Sequence, residues 1–306
     1  MQTVLISGGT GLVGKALSKH LINKGYKVIV LTRHLPEGEK PENDQVNFAK
    51  WNIQKQEIDI AALQEADYII HLAGAGVMEK KWTDAYKKEI IDSRVESAKL
   101  IVESLKRYSN KVKVVVSASA IGIYKPNEII HTEDETVDDS FLGKTCKVWE
   151  ESMEPIATLN KRLVTLRIGI VLSKYGGALR EFMMPIKFGM AAILGNGKQM
   201  ISWIHIDDLC RQFIFAIENE QLQGVYNAVA PGPVNNKTLI ITLAKKMKRL
   251  FYIPFYVPSF ILKIMLGGRS IEILKSTAVS DKKIIDAGFS FQFENIDAAL
   301  EDLVKK

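Results

Sequence analysis

Three glycines, Gly8, Gly11 and Gly14, follow a short apolar run and open a stretch with helical spacing. In such a turn one glycine makes the bend, one lets the backbone approach a pyrophosphate, and one lets the helix pack on the strand. The helix N-terminus adds unpaired N–H groups and a partial positive charge. The spacing therefore predicts a dinucleotide-phosphate site formed by Gly8, Gly9, Thr10, Gly11, Leu12, Val13 and Gly14.

The end of the next apolar run, Val28 to Leu31, indicates which dinucleotide binds. A site for NAD places an acidic residue about 20 residues after the glycines, on the ribose hydroxyls. The stretch Tyr26 to Leu35 contains no acid and has Thr32 and Arg33 at the strand end. A guanidinium there could bind a 2′-phosphate, which predicts NADP(H) as the cofactor. The alternative is an exposed arginine that binds no ligand.

These groups need a scaffold of alternating strands and helices. Apolar β-branched runs predict strands at Thr3 to Ser7, Val28 to Leu31, Tyr68 to Leu72, Val112 to Ser117 and Leu163 to Ile170. Helical spacing lies between them at Lys15 to Asn23, near Trp82 to Tyr108 and at Leu142 to Leu159. Because the strand runs are continuous rather than alternating, both faces of the sheet are expected to be covered. The pattern predicts an α/β fold with a Rossmann-type doubly wound parallel sheet.

After residue 172, glycines break the chain into shorter pieces. A strand around Ile201 to Ile206, a helix from Asp207 to Glu218 and a strand at Val225 to Val229 are predicted to return to the main domain. Later helices are predicted at Lys237 to Arg249, near Ser259 to Leu266 and at Ile296 to Val304. The predicted division is a dinucleotide-binding domain at 1–172, rejoined by 201–229, and a smaller C-terminal substrate-side region at 173–200 and 230–295. Whether 296–306 also rejoins the main domain is left open.

The composition excludes several classes of protein. Of 306 residues, 47% are hydrophobic and 25% are charged, which is too apolar for a disordered chain. The net charge of +6 is scattered among acidic neighbours, so nucleic acid is not expected as a partner. Cys146 and Cys210 lack paired spacing and the five histidines lie far apart, so neither a disulfide nor a metal site is expected. No export signal or membrane-spanning run is present, which predicts a cytoplasmic protein with no membrane partner.

With these residues in view, the chain resembles the extended short-chain dehydrogenase/reductases, the NAD-dependent epimerase/dehydratase superfamily. The resemblance covers nearly the whole length. Its motifs are His71-Leu72-Ala73-Gly74, Ser117-Ala118-Ser119-Ala120, Arg167-Ile168-Gly169 and Trp203-Ile204-His205; segments such as Ser93-Arg94-Val95 point to the atypical branch known as epimerase family protein. The resemblance implies that Leu72, Ala73 and Gly74 line the nicotinamide side of the cofactor. Arg94 would face either a phosphate or a neighbouring helix.

The active site of such enzymes holds a serine, and a tyrosine and a lysine spaced YxxxK on the helix after the fifth strand. Ser119 stands at the serine position, but Leu142 and Cys146 stand at the tyrosine and lysine positions. A phenol with a pKa near 10 must have that pKa lowered by about 3 to work near pH 7, which the lysine and the oxidised nicotinamide normally achieve. The chain therefore requires a non-standard proton relay, for which Ser119 with Tyr124 or a water is the candidate.

Four residues are candidates for the substrate side, namely Arg167, Gln199, Trp203 and His205. Arg167 lies at the end of a buried strand, where an arginine is costly unless it is paired. Glu133 or Glu150 could pair with it inside the protein, or a bound anionic ligand could do so. His205 has an alternative too, as a packed histidine that hydrogen-bonds Asp207 or the backbone.

Two functions stay open on this basis. The first is an NADP(H)-dependent oxidoreductase or epimerase-like enzyme for a small polar or nucleotide-linked carbonyl or alcohol. The second is a catalytically weak NADPH-binding sensor or regulatory protein. The missing tyrosine–lysine pair favours the second, whereas Ser119 and a complete substrate-side region favour the first. A homodimer through the two helical segments near 82–108 and 142–159 is a further hypothesis.

Overall fold

The computed structural model describes residues 1–35, 46–127, 129–247 and 251–305. In chain order its strands are β1 (Thr3–Ser7), β2 (Lys27–Thr32), β3 (Val46–Asn52), β4 (Glu57–Ile58), β5 (Tyr68–His71), β6 (Val114–Ala120), β7 (Ile130–His131), β8 (Arg162–Ile168), β9 (Ile170–Leu172), β10 (Met190–Leu194), β11 (Met200–Ile201), β12 (Trp203–His205), β13 (Gly224–Ala228), β14 (Val234–Asn235), β15 (Ile253–Val257) and β16 (Ala278–Val279). Its α-helices are α1 (Leu12–Asn23), α2 (Ile60–Glu65), α3 (Asp84–Arg107), α4 (Phe141–Met153), α5 (Ala178–Lys187), α6 (Ile206–Glu218), α7 (Asn236–Lys246), α8 (Ser259–Leu266), α9 (Ser270–Leu274), α10 (Lys282–Asp286) and α11 (Ile296–Val304).

The main sheet has eight strands in the order β13-β8-β6-β5-β1-β2-β3-β4. Neighbouring strands run parallel, except that β4 pairs antiparallel with β3. The chain moves from β1 outward to β2 and β3, and then returns to β5 on the other side of β1. This reversal creates a crevice at the carboxyl ends of β1 and β5, where open α/β sheets bind ligands. The predicted Rossmann-type doubly wound sheet is confirmed.

Apolar layers cover both faces of the sheet, which explains the continuous apolar strands. Val4 and Ile6 of β1 belong to one layer, together with Leu21 of α1 and residues of α6. Leu5 belongs to the opposite layer, together with Ile101 of α3. Successive side chains of a strand point to opposite faces, so a strand covered on both sides has no polar face.

Some predicted elements differ from the structure at their ends, for local reasons. The segment Ser117 to Ala120 belongs to β6 instead of following it. The helix predicted for 142–159 is α-helical only to Met153 and continues as a 3₁₀ turn over Glu154–Leu159, where Pro155 has no N–H to donate. The helix predicted for 237–249 ends at Lys246, and 248–250 lie outside the described residues.

Two predicted strands are interrupted by a change of partner. A Cβ on Gly169 would lie 2.6 Å from the Ser202 carbonyl oxygen, so glycine separates β8 from β9 at this close approach. The strand predicted for 201–206 divides at Ser202, because β11 pairs with β14 whereas β12 pairs with β9. Ile206 already begins α6.

A separate apolar cluster organises the C-terminal part of the chain. It joins Leu179 of α5, Leu243 of α7 and Leu300 of α11, and α11 packs on α7. Strand β13 instead returns to the main sheet beside β8. The domain boundaries drawn from the sequence stay a prediction. In the described ranges no helix has both the length and the apolar character needed to cross a bilayer.

Candidate functional site

The turn between β1 and α1 is closed by contacts that only glycine allows. Gly8 has φ +74°, and a Cβ there would lie 2.7 Å from the Leu72 carbonyl carbon. A Cβ on Gly14 would lie 2.4 Å from the Gly8 carbonyl oxygen. Gly11 is the N-cap of α1 and supplies no side-chain cap, so the first turn presents N–H groups to the crevice. A phosphate would find donors and a favourable helix dipole here.

The residues predicted to hold a dinucleotide are brought together around this turn. Residues 72–74 follow β5 directly, and Leu72 and Ala73 lie against Gly8. Thr10 is exposed, and Leu12 and Val13 are half-buried at the start of α1. Thr32 ends β2, the strand next to β1, and Arg33 follows it in an exposed position. A binding role for each of these residues stays a prediction.

A cavity of about 850 Å³ opens at the carboxyl ends of β2 and β3. Its strand side carries the cations Arg33 and Lys50 beside His34, and its α3 side carries carboxylates that include Asp92. Lys50 is the register partner of Thr32 and is exposed. The sequence did not single out Lys50, because the pairing of β2 with β3 is not visible from local pattern. The strand side and the α3 side of this cavity therefore carry opposite charges, and a role of the strand-side cations in binding a phosphate stays a prediction.

Ser119 belongs to a buried network centred on a salt bridge. Its Oγ donates to Glu150 Oε1 at 2.6 Å. Arg167 donates to the same carboxylate twice, from Nε and Nη2, each at 2.9 Å. The Arg167 and Glu150 side chains are only 8% and 14% exposed. The structure therefore provides the intramolecular partner that the sequence left open for Arg167, and each nitrogen of the guanidinium donates to an acceptor inside the protein.

Tyr124 completes this network from the other side. Its hydroxyl donates to Asn227 Oδ1 at 2.6 Å and accepts from Arg167 Nη1 at 3.0 Å. The Tyr124 side chain is fully buried and stacks on His131. Burial raises the pKa of Tyr124 to about 12, although Arg167 opposes the shift. Tyr124 is therefore a neutral phenol near pH 7, and its pKa lies further from neutrality than that of a free phenol.

The positions of the missing tyrosine and lysine are apolar in structure as well as in sequence. Leu142 and Cys146 are both buried on α4. Burial, reinforced by Glu150, raises the pKa of the Cys146 thiol to about 12, so it stays protonated. A protonated buried thiol behaves as a small hydrophobe.

Arg94 of α3 reaches the loop that follows β5. Its Nη1 donates to the carbonyl oxygens of Ala75 at 3.0 Å and Ile90 at 2.9 Å. The guanidinium carbon lies 4.9 Å from the centroid of the Trp149 ring, and a Cβ on Gly74 would approach it to 3.0 Å. Of the two sequence alternatives for Arg94, the structure shows the neighbouring helix, because Trp149 belongs to α4, and the contact with a phosphate stays a prediction.

Gln199, Trp203 and His205, predicted for the substrate side, are buried here. Gln199 Nε2 donates to the Leu194 carbonyl oxygen, and Trp203 Nε1 donates to that of Gly232. His205 Nδ1 accepts from the Asp207 N–H, as the cap of α6. These contacts are of the packed, hydrogen-bonded kind, and a role in binding substrate stays a prediction.

The fold also assembles a polar cluster that the sequence spacing did not suggest. His20 Nε2 lies 3.0 Å from Asp207 Oδ1, and His205 Nε2 lies 3.4 Å from Asp302 Oδ2. Because His205 Nδ1 accepts a hydrogen bond, the neutral ring carries its proton on Nε2, facing the Asp302 carboxylate. In this form the imidazole offers no lone pair to a cation. The cluster connects α1, α6 and α11.

Comparisons with known proteins agree with this architecture. The family model described as NAD dependent epimerase/dehydratase family matches residues 4–228, and a domain of unknown function, DUF1731, matches 257–303. Epimerase family protein SH2119 of Staphylococcus haemolyticus is 35% identical over 309 residues, which cover 99% of each chain. Epimerase family protein SAR0825 of Staphylococcus aureus is 34% identical over the full length of both chains.

A solved structure is similar over the same extent. The human epimerase family protein SDR39U1, isoform 2, with NADPH, has a TM-score of 0.86 at 27% identity, and the match covers 99% of each chain. The family match spans more than half of the sequence and the bacterial relatives align from end to end. The chain therefore belongs to the NAD-dependent epimerase/dehydratase family, within the extended short-chain dehydrogenase/reductases, as the sequence motifs implied.

Proposed function

We propose that this chain binds NADP(H) and acts as an oxidoreductase or epimerase-like enzyme on a small polar or nucleotide-linked carbonyl or alcohol. The observation that carries the cofactor assignment is the glycine turn, with the cationic ends of β2 and β3 beside it. The human relative with NADPH supports the same cofactor.

The described residues fit the two ends of such a cofactor. The N–H groups at the start of α1 would hold the pyrophosphate, because Gly8 and Gly14 allow the backbone to come close. Arg33 and Lys50 would hold the 2′-phosphate, and residues 72–74 would line the nicotinamide. A charge-assisted hydrogen bond of about 1.5–3 kcal/mol gives a preference for NADP over NAD of about 10- to 150-fold.

The proton path must differ from that of a tyrosine–lysine enzyme. Bound NADPH would supply the hydride, and the chain must supply the proton. Ser119 is the proposed donor, because it stands at the serine position of the family motif, and its hydroxyl would turn from Glu150 to the substrate oxygen. Tyr124 reaches Glu150 only through Arg167, whose guanidinium accepts no proton, so a water rather than Tyr124 would return a proton to the Ser119 oxygen.

A second candidate function is a catalytically weak NADPH-binding sensor or regulatory protein. The observation that favours it is the commitment of both hydroxyls: Ser119 to Glu150, and Tyr124 to Asn227 and Arg167. The neutral Cys146 at the lysine position supplies no positive charge to acidify a phenol.

The cofactor assignment is tested by calorimetric titration of the protein with NADPH and with NADH. Wild type is expected to prefer NADPH, and Arg33→Asp is expected to remove about 10- to 150-fold of that preference. Arg107→Asp, an exposed arginine on α3, is the charge-matched control. Unchanged discrimination in Arg33→Asp removes Arg33 from the site, and no affinity for either nucleotide rejects the proposal.

Turnover separates the enzyme from the sensor. NADPH oxidation is followed at saturating cofactor across a panel of polar and nucleotide-linked carbonyls. Oxidation that falls in Ser119→Ala with NADPH affinity unchanged supports the enzyme and its relay. Tight NADPH binding with no oxidation across the panel supports the sensor.

Two further expectations belong to this proposal. The two cysteines are free and buried, which supports a reducing compartment such as the cytoplasm. A homodimer through α3 and α4 is the proposed assembly. Light scattering at micromolar concentration tests it, and a monomer rejects it.

A further inference from the structure

Arg94 is a half-buried cation beside the loop that follows β5, without a carboxylate partner among the described residues. Its Nη1 is satisfied by two carbonyl oxygens, and its guanidinium lies over the Trp149 ring. Its Nε and Nη2 donate no hydrogen bond within the described ranges. Burial lowers the pKa of Arg94, which records the cost of holding this charge away from water.

This environment contrasts with that of Arg167, the other arginine near the strand ends. Arg167 meets a bidentate carboxylate and a phenol, which offset the cost of its burial. Arg94 has only neutral partners, and neutral dipoles compensate a buried charge less well than an anion does. The Nε and Nη2 groups of Arg94 are therefore available to donate to a ligand.

The position of Arg94 indicates which part of a ligand would accept hydrogen bonds from it. Ala75 is fixed to α3 twice: its carbonyl oxygen accepts from Arg94, and its N–H donates to Ser93 Oγ at 2.9 Å. Gly74 leaves the space for the guanidinium, because a Cβ there would approach it to 3.0 Å. The same loop touches the phosphate-binding turn at Gly8, on the side away from Arg33.

Arg94 also acts electrostatically on Cys146, which stands where the family motif places a lysine. The positive charge of Arg94 lowers the pKa of the Cys146 thiol, against the larger effect of burial, so the two groups are electrostatic neighbours. Trp149, which the guanidinium covers, lies three residues further along α4.

We propose that Arg94 binds the nicotinamide ribose phosphate half of the dinucleotide, donating from Nε and Nη2 to its oxygen atoms. This inference rests on the proposed binding of NADP(H). In this arrangement Arg33 would bind the adenosine 2′-phosphate, and Arg94 would bind the nicotinamide ribose phosphate at the other end of the cofactor. Arg94 is thus a binding residue that supplies a positive charge where Cys146 cannot.

The test uses two ligands that differ in that half. Full-length protein is titrated calorimetrically with NADPH and with adenosine 2′,5′-bisphosphate, which lacks the nicotinamide ribose phosphate. Arg94→Met is expected to weaken NADPH binding by about 10- to 100-fold and to change bisphosphate binding less than about 2-fold. Arg33→Met is expected to weaken both. Arg94→Lys keeps the charge and should recover part of the NADPH affinity, and Arg107→Met is the matched control.

Thermal unfolding gives a second readout that a purely structural arginine would not produce. Because Arg94 lacks a counter-ion, Arg94→Met should unfold without ligand at a temperature equal to or above that of wild type. Its stabilisation by NADPH should be reduced.

The failures of the two proposals are distinguishable. If wild type binds neither ligand, NADP(H) binding itself is wrong, and the role of Arg94 is rejected with it. If wild type binds both and Arg94→Met weakens both equally or neither, only the role of Arg94 is overturned. Should Arg94→Met not fold, full NADPH affinity in Arg94→Lys overturns the proposed two-donor contact.

Discussion

Glu150 holds the buried network together, so its replacement is the sharpest test of the structure. Glu150→Gln keeps the side-chain length but removes the charge that faces Arg167. The carboxylate accepts from Ser119 and twice from Arg167, and neither partner of the salt bridge is more than 14% exposed. The substitution therefore leaves a guanidinium buried without a counter-ion.

The expected cost follows from that burial. Removing one partner of a buried ion pair costs about 3–5 kcal/mol, whereas an exposed pair contributes at most about 1 kcal/mol. Glutamine keeps one carbonyl acceptor, so the lower end, about 3 kcal/mol, is expected for Glu150→Gln. With a urea m-value of about 3 kcal/mol/M, the unfolding midpoint should fall by about 1 M.

The assay is equilibrium unfolding in urea, followed by tryptophan fluorescence and circular dichroism. Glu151→Gln is the matched control, because its partner Lys147 is 3.6 Å away and both side chains are about half exposed. The free energy of unfolding of this control should fall by less than about 0.5 kcal/mol. Adding Arg167→Met to Glu150→Gln should recover part of the loss, since the unpaired charge is then gone. Equal urea midpoints for Glu150→Gln and Glu151→Gln would refute the claim that the buried network stabilises the fold.

Three further predictions concern the turn, a buried histidine and a contact between regions. Gly14→Ala should lower the free energy of unfolding by about 1–3 kcal/mol, because its Cβ would lie 2.4 Å from backbone atoms. Calorimetry should also show NADPH binding weakened at least about 10-fold. In the control Gly25→Ala nothing lies within 4 Å of the added Cβ, and NADPH binding should be unchanged. Burial lowers the pKa of His71 to about 3, so only the unfolded chain binds its proton below about pH 6.5, and stability should fall by about 1.4 kcal/mol per pH unit from there towards pH 3. Urea unfolding at pH 6.5 and 5 should therefore show a loss about 2 kcal/mol smaller in His71→Asn, and no such difference in the exposed His34→Asn. Lys275→Met should lower the free energy of unfolding by about 3 kcal/mol, because it leaves the Asp138 carboxylate, whose Oδ2 lies 3.1 Å from Lys275 Nζ, without its partner. A loss below about 1 kcal/mol would contradict this.

The features that the sequence determined by itself have local causes. The glycine turn could be predicted because the spacing of Gly8, Gly11 and Gly14 is local, although the close approach of Gly8 to Leu72 is visible only in the structure. The parallel sheet could be predicted because continuous β-branched runs favour strands that are covered on both faces. The loss of the tyrosine and lysine was equally visible, since Leu142 and Cys146 are identified by spacing along one helix.

Only the tertiary structure decided which charges meet. Ser119 and Arg167 are register partners on β6 and β8, and α4 brings Glu150 to both of them. Lys50 reaches the end of β2 in the same way, through strand pairing. Arg94 lacks an anion only because no carboxylate of the described residues packs beside it. Such contacts depend on strand order, register and the packing of distant helices, whereas local pattern constrains each segment alone.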